Sequence, residues 1–202
     1  RFVTILFADI VGSTELAASY EPEQLRQGLA DVFARISQLL TSHGGTVEKF
    51  IGDAVMAVFG VPQSHDDDAE RAIRAALAVM ELARNVESWV PFPIHFRIGV
   101  NSGEVATGTG EGGQFLVTGL PVNLAARFYT AAEPGEILVG RRTRDLTSSL
   151  VGYGGPRSLH AKGVGAVEAW PISGPIHARP GEAPPRLAGR SSPFVGRELE
   201  LS

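Results

Sequence analysis

Two aspartates, each beside a sharp glycine turn, carry the most legible chemistry in this sequence. Asp9 ends the apolar run Phe2 to Ala8 and opens into Ile10, Val11, Gly12, Ser13 and Thr14. Asp53 follows Gly52 and leads into a second apolar run, Ala54 to Phe59. Carboxylates at such turns are poor core residues and good ligands for a hard cation. A glycine followed by hydroxyl residues lets backbone N–H groups approach phosphate oxygens. Together these residues point to magnesium held against a polyphosphate. Taken singly, each has a plainer reading. Residues 9–14 could be a strand-to-helix turn with a capping serine, and Asp53 an ordinary hairpin aspartate.

The elements that must position these groups follow from periodicity. Residues 2–9 read as a buried strand. Glu21-Pro22-Glu23 suits a helix start, with proline and acids in the first turn. Leu25, Leu29, Val32, Phe33, Ile36, Leu39 and Leu40 then form an apolar stripe, stopped at His43-Gly44-Gly45. Residues 46–51 and 54–59 read as hairpin strands joined at Gly52-Asp53. A second long helix runs to about Val86, capped by Ser64 or one of Asp66, Asp67 and Asp68. Residues 96–101 form a strand, 122–132 a third helix and 136–139 a short strand. The order predicts an α+β fold, a ferredoxin-like βαββαβ sandwich with additional C-terminal strands and helix.

The bulk properties narrow the class. The 202 residues suffice for one sizeable core. A net charge of −4 argues against a nucleic-acid groove in this domain. With no cysteine, disulfides and thiolate metal sites are excluded, which fits a cytoplasmic location. No apolar run approaches the ~20 residues needed to cross a bilayer, so no membrane association is expected. Arg1 stands inside a strand pattern, which predicts that the segment belongs to a longer protein. After Trp170 the pattern changes: Pro171, Pro175, Pro180, Pro184, Pro185 and Pro193 are six of the thirteen prolines. Residues 174–192 read as a Pro-rich linker following a folded domain over 1–173. Residues 193–202 contain Phe194-Val195-Gly196-Arg197-Glu198-Leu199-Glu200-Leu201 and resemble the entry to a bacterial regulatory ATPase domain.

The motifs, taken in order, are far more specific than any one of them. Phe7-x-Asp9-Ile10-Val11-Gly12-Ser13-Thr14 is followed by Lys49-Phe50-Ile51-Gly52-Asp53. Arg97 to Val105 comes next, and then Val122-Asn123-Leu124-Ala125-Ala126-Arg127. This series resembles the class III nucleotidyl cyclases, the family of adenylyl and guanylyl cyclase catalytic domains. It is closest to the soluble bacterial type that precedes a regulatory ATPase domain.

The resemblance implies that ATP becomes 3′,5′-cyclic AMP and pyrophosphate. It assigns Asp9 and Asp53 to two divalent cations, magnesium or manganese. In such sites the ions stand ~3.5–4 Å apart and stabilise both attacking and leaving oxygens. The Ile10, Val11, Gly12, Ser13 and Thr14 backbone would cradle the β- and γ-phosphates. Asn123 would orient the ribose and Arg127 stabilise the transition state. Being four apart on a helix, they share one face. Arg97 and Lys162 fall at positions that contact terminal phosphates. Lys49, four residues before Asp53, stands where adenylyl cyclases carry lysine and guanylyl cyclases glutamate. Glu48 is adjacent, and the Gly52-Asp53 anchor fixes the register on Lys49.

The chain also departs from the family pattern. The second adenine-recognition position falls at Leu116, which cannot accept from the adenine amino group. Thr118 is close by, but a strand alternates faces, so it is not automatically a substitute. Gly119-Leu120-Pro121 replaces the usual Gly-Asp or Gly-Asn step before the helix. Gly108 to Gly113 contains G-x-G-x-x-G without the helix a dinucleotide fold requires, and reads as a hairpin tip. His65 with Asp66, Asp67 and Asp68 reads as helix capping rather than a metal site.

The family implies a homodimer, with metal aspartates from one subunit and lysine, asparagine and arginine from its partner. Two other readings compete. One is a cyclase-like nucleotide-binding sensor that regulates the following ATPase domain, or a cyclase with relaxed purine selectivity. The other is a GGDEF-type diguanylate cyclase, which shares the core but needs a G-G-D/E-E-F turn where this chain has Ile51-Gly52-Asp53-Ala54-Val55.

Overall fold

The computed structural model describes residues 1–109, 115–161 and 163–175. The first part of the chain forms β1 (Phe2–Val11), α1 (Ser13–Ser19), α2 (Pro22–Ser42), β2 (Thr46–Ile51), β3 (Ala54–Phe59), α3 (Asp68–Arg84) and β4 (His95–Glu104). A small hairpin, β5 (Ala106–Thr109) and β6 (Phe115–Thr118), leads to α4 (Leu120–Ala131). The remainder is β7 (Ile137–Gly140), α5 (Arg141–Thr147), β8 (Val151–Tyr153), β9 (Arg157–Ala161) and β10 (Gly165–Pro175).

The main sheet runs β2-β3-β1-β4-β7-β10-β8, with β9 paired to β10. Its first four strands, crossed by α2 and α3, are the expected βαββαβ core, and the later strands extend it. Helix α2 begins at Pro22 and ends before Gly44, whose φ of +86° is the left-handed stop that glycine provides. The segment 9–14 is a strand-to-helix turn, as one reading of the sequence allowed, but Gly12 rather than a capping serine stands before α1. Ile10 and Val11 complete β1, and Ser13 starts a helix of seven residues, too short for its periodicity to register. Only Gly12, at φ +72°, remains as the connection. Asp67, one of the residues expected to cap α3, stands at its N-cap but pairs with Arg71 instead of making a side-chain cap bond, while buried Asp68 accepts from the His65 backbone N–H at 2.8 Å.

Strand alternation gives β1 two buried faces, each packed into its own core. Leu6, Ala8 and Ile10 pack with Val32, Ile36 and Ile73 under α2 and α3. Val3, Ile5 and Phe7 point the other way and pack with Met56, Val58 and Ala125 under α4. Asp9 continues the second series, so it lies on the α4 face.

Glycines let α4 sit directly on that face. A Cβ at Gly99 would stand 2.3 Å from the Ala125 carbonyl oxygen and 2.4 Å from the Tyr129 nitrogen. At Gly103 it would stand 2.6 Å from Pro121. Between them, buried Asn101 donates its side-chain amide to the Pro121 carbonyl at 3.1 Å. These contacts fix the helix that carries Asn123 and Arg127. Lys162 and residues 176–202, which hold most of the expected linker and the ATPase-like segment, lie outside the described residues.

Candidate active site

Strand register brings Asp9 and Asp53 together. Asp9 pairs with Ala54 on one side and with Arg97 on the other. The β2–β3 turn therefore ends beside Asp9, and the Ile10 backbone N–H donates to the Asp53 carbonyl at 3.2 Å. Ser13, at the start of α1, donates its hydroxyl to the Asp53 carboxylate. Arg97 Nε donates to Asp9 Oδ2 at 2.6 Å. The Asp9 side chain is only 6% exposed, and burial pushes its carboxyl above the usual carboxylate range. Arg97 works against that rise, and the neighbouring charge of Asp53 adds to it.

This donor set suits a hard cation that arrives with its substrate. Among the described residues, no group of three or more His, Cys, Asp or Glu converges into a ready-made metal cage. Magnesium commonly takes one or two carboxylates and completes its shell from phosphates and water. Two converging carboxylates, one of them buried beside a second negative charge, match that requirement.

Three of the expected residues sit elsewhere. Asn123 and Arg127 are exposed on α4, four residues apart as expected, and line a groove of about 660 Å³. Ala161, Gly163 and Val164 form its other wall. Neither Asp9 nor Asp53 lines this groove. Lys49 stands on β2 opposite Met56, and therefore on the α4 face. The segment expected to cradle phosphates has one donor fewer than its sequence implied, since the Ile10 N–H is occupied by the Asp53 carbonyl.

Two residues escaped sequence reasoning, and a third was left undecided by it. Tyr129 stacks on Phe7 at 5.4 Å, and Arg97 lies over its ring at 5.8 Å. Burial, and then the charge of Asp9, hold its phenol above the ordinary value. Its position six residues after Asn123, and so off the Asn123–Arg127 face, was the available signal. Asn101 is the second, marked only by being a polar residue in a buried strand. Thr118 is the third: Leu116 and Thr118 are both exposed while Val117 between them is buried. Two residues apart on a strand, they share a face, so the hydroxyl does lie on the side of Leu116.

Comparison with known proteins agrees with this arrangement. The family described as the adenylate and guanylate cyclase catalytic domain matches residues 1–173. An adenylate cyclase of Mycobacterium tuberculosis is 31% identical over 192 residues, covering 92% of this chain and 43% of the relative. An uncharacterized protein of the same organism is 35% identical over 153 residues, covering 73% of this chain and 28% of its own length. The chain thus spans less than half of these relatives. Among solved structures, the adenylyl cyclase CyaB from P. aeruginosa superposes with a TM-score of 0.79 at 27% identity, covering 90% of this chain and 97% of that one. The guanylyl cyclase Cya2 does so with a TM-score of 0.81 at 30% identity, covering 90% and 95%. With the aspartate pair, the α4 asparagine and arginine and the whole sheet accounted for, this chain belongs to the adenylate and guanylate cyclase catalytic domain family.

Proposed function

We propose that this domain converts ATP to 3′,5′-cyclic AMP and pyrophosphate, at sites shared across a homodimer. The convergence of Asp9 and Asp53 beside Ser13 carries the reading. Asp9 and Asp53 would hold two divalent cations, magnesium or manganese, which when bound supply Lewis acidity at the attacking and leaving oxygens. In the reaction the ribose 3′-oxygen bonds to the α-phosphorus and the bond to the pyrophosphate oxygen breaks. The hydroxyl proton passes to solvent.

The remaining residues divide the work. The backbone of Val11 to Thr14 would cradle the terminal phosphates. Arg97 and Lys162 would add positive charge to them. Asn123 would hold the ribose, and Arg127 would meet negative charge developing at the α-phosphate. Lys49 would donate to adenine N1. Asn123 and Arg127 line a groove that contains no carboxylate, which favours a partner chain supplying the metal half. In the longer protein, residues 174–192 would link this domain to a regulatory ATPase domain beginning at 193–202, in the cytoplasm.

The direct test is incubation with ATP or GTP and manganese, with cyclic products resolved by chromatography. Cyclic AMP that disappears in Asp9→Ala supports the reading. One observation favours a second reading of relaxed purine selectivity: Leu116, at 38% exposure, offers the base no acceptor. Cyclic GMP formed alongside cyclic AMP is its signature. No product from either nucleotide in a proven dimer favours a regulatory, nucleotide-binding module.

A further inference from the structure

The β2–β3 ladder breaks its register at one point. Thr46 pairs with Val58 and Val47 with Ala57, but Lys49 then pairs with Met56. Glu48 is the extra residue of a β-bulge, so Glu48 and Lys49 together oppose Met56. Adjacent strand residues normally point to opposite faces. A bulge breaks that rule and re-aims a side chain. Here Lys49 Nζ donates to Glu48 Oε1 at 3.1 Å. The glutamate side chain is 1% exposed, whereas the lysine side chain is 38% exposed. One partner is therefore held inside the fold and the other reaches out of it.

We infer that Glu48 is a positioning residue that aims Lys49 at the purine edge and so sets the preference for adenine. The inference rests on the reading of this chain as an ATP-using cyclase. A free lysine side chain is a flexible four-carbon stem with three rotatable N–H donors. Docking on a fixed carboxylate removes most of that freedom and commits one donor. Two donors remain for an acceptor such as adenine N1. Guanine presents an N–H at that position, so a fixed ammonium meets a donor there. Glu48 itself is too buried to read guanine, although its residue type would suit that base. The bulge thus settles which of two adjacent, opposite-charge residues faces the ligand.

The test compares Glu48→Gln, Glu48→Asp, Lys49→Met and the Glu48→Gln/Lys49→Met double variant. ATP and GTP kinetics are measured with manganese, alongside equilibrium binding of non-cyclisable ATP and GTP analogues. Glu48→Gln is isosteric, and thermal melting confirms that each variant is folded. Loss of one charge-assisted contact predicts about a tenfold rise in KM for ATP, with a much smaller change in kcat. The ATP-over-GTP preference falls in parallel, Glu48→Asp recovers part of it, and Glu48→Gln has no further effect once Lys49 is methionine. An unchanged preference in Glu48→Gln overturns the inference. So does an equal loss in the Lys49→Met background, which marks a merely structural role. A wild-type chain that forms no cyclic nucleotide refutes the cyclase reading instead, and the binding comparison still decides the role of Glu48.

Discussion

Arg97 Nε and Asp9 Oδ2 meet at 2.6 Å across the β1–β4 ladder, a cation placed against the more buried of the two site carboxylates. Without its arginine, Asp9 is a largely desolvated charge beside Asp53. Arg97→Ala is therefore expected to destabilise the nucleotide-free chain by about 1–3 kcal/mol. That lowers Tm by roughly 2–4 °C per kcal/mol for a domain of this size. Adding Asp9→Ala to Arg97→Ala should return part of the loss, because the unpaired carboxylate goes with it. Thermal unfolding of the double-mutant cycle checks this.

Gly99 is a second sensitive point. A methyl group there meets backbone atoms of α4 rather than a movable side chain. Gly99→Ala should push α4 off the sheet while leaving secondary structure intact. Displacing Asn123 and Arg127 by about 1 Å is enough to cost on the order of 10² in turnover. Circular dichroism together with cyclase assays separates this outcome from unfolding.

The shared-site proposal predicts complementation. Asp53→Ala and Arg127→Ala chains should each be nearly inactive alone. Mixed in equal amounts they should recover about a quarter of wild-type activity. Half of randomly paired dimers are mixed, and each mixed dimer keeps one intact site. No recovery in heterodimers verified by tagged pull-down would refute shared sites.

The alkaline limb of stability should depend on Tyr153. Burial pushes its phenol above 10, while the hydrogen bond with Thr147 and the charge of Arg144 act in the opposite direction. The folded state then holds a proton that the unfolded state releases. Stability from this group is full below pH 10 and is lost as pH rises through the folded value. Tyr153→Phe should cost about 1 kcal/mol near neutrality and flatten the decline above pH 10. Chemical denaturation at neutral pH and above pH 10 measures both.

Sequence reasoning reached the βαββαβ core because long periodic segments such as α2 and the unbroken run of β3 leave little choice. It singled out Asp9 and Asp53 as a pair because each stands beside a glycine turn, and the β1–β3 register does bring them together. It allowed a helix after residue 14 but gave α1 no extent, because its seven residues bury no side chain and so show no stripe. It could not see the bulge at Glu48, since an inserted residue leaves no mark in an alternating pattern that is already short. It left Thr118 undecided, although residues two apart on a strand share a face, and the exposure of both Leu116 and Thr118 bears that out. The Asn101–Pro121 contact joins residues twenty apart and depends on tertiary geometry alone.

The alternation of β1 has a consequence for how this strand can evolve. Even-numbered Leu6, Ala8 and Ile10 answer to the helices beneath, whereas odd-numbered Phe7 and Asp9 answer to α4 and the nucleotide side. Substitutions in either buried series should show up as lost abundance, and those at Asp9, where the odd series ends, as lost chemistry in a protein that still accumulates. One strand of ten residues thus answers to two packed layers, sorted by the parity of the residue number, and passes from packing to chemistry only at its end.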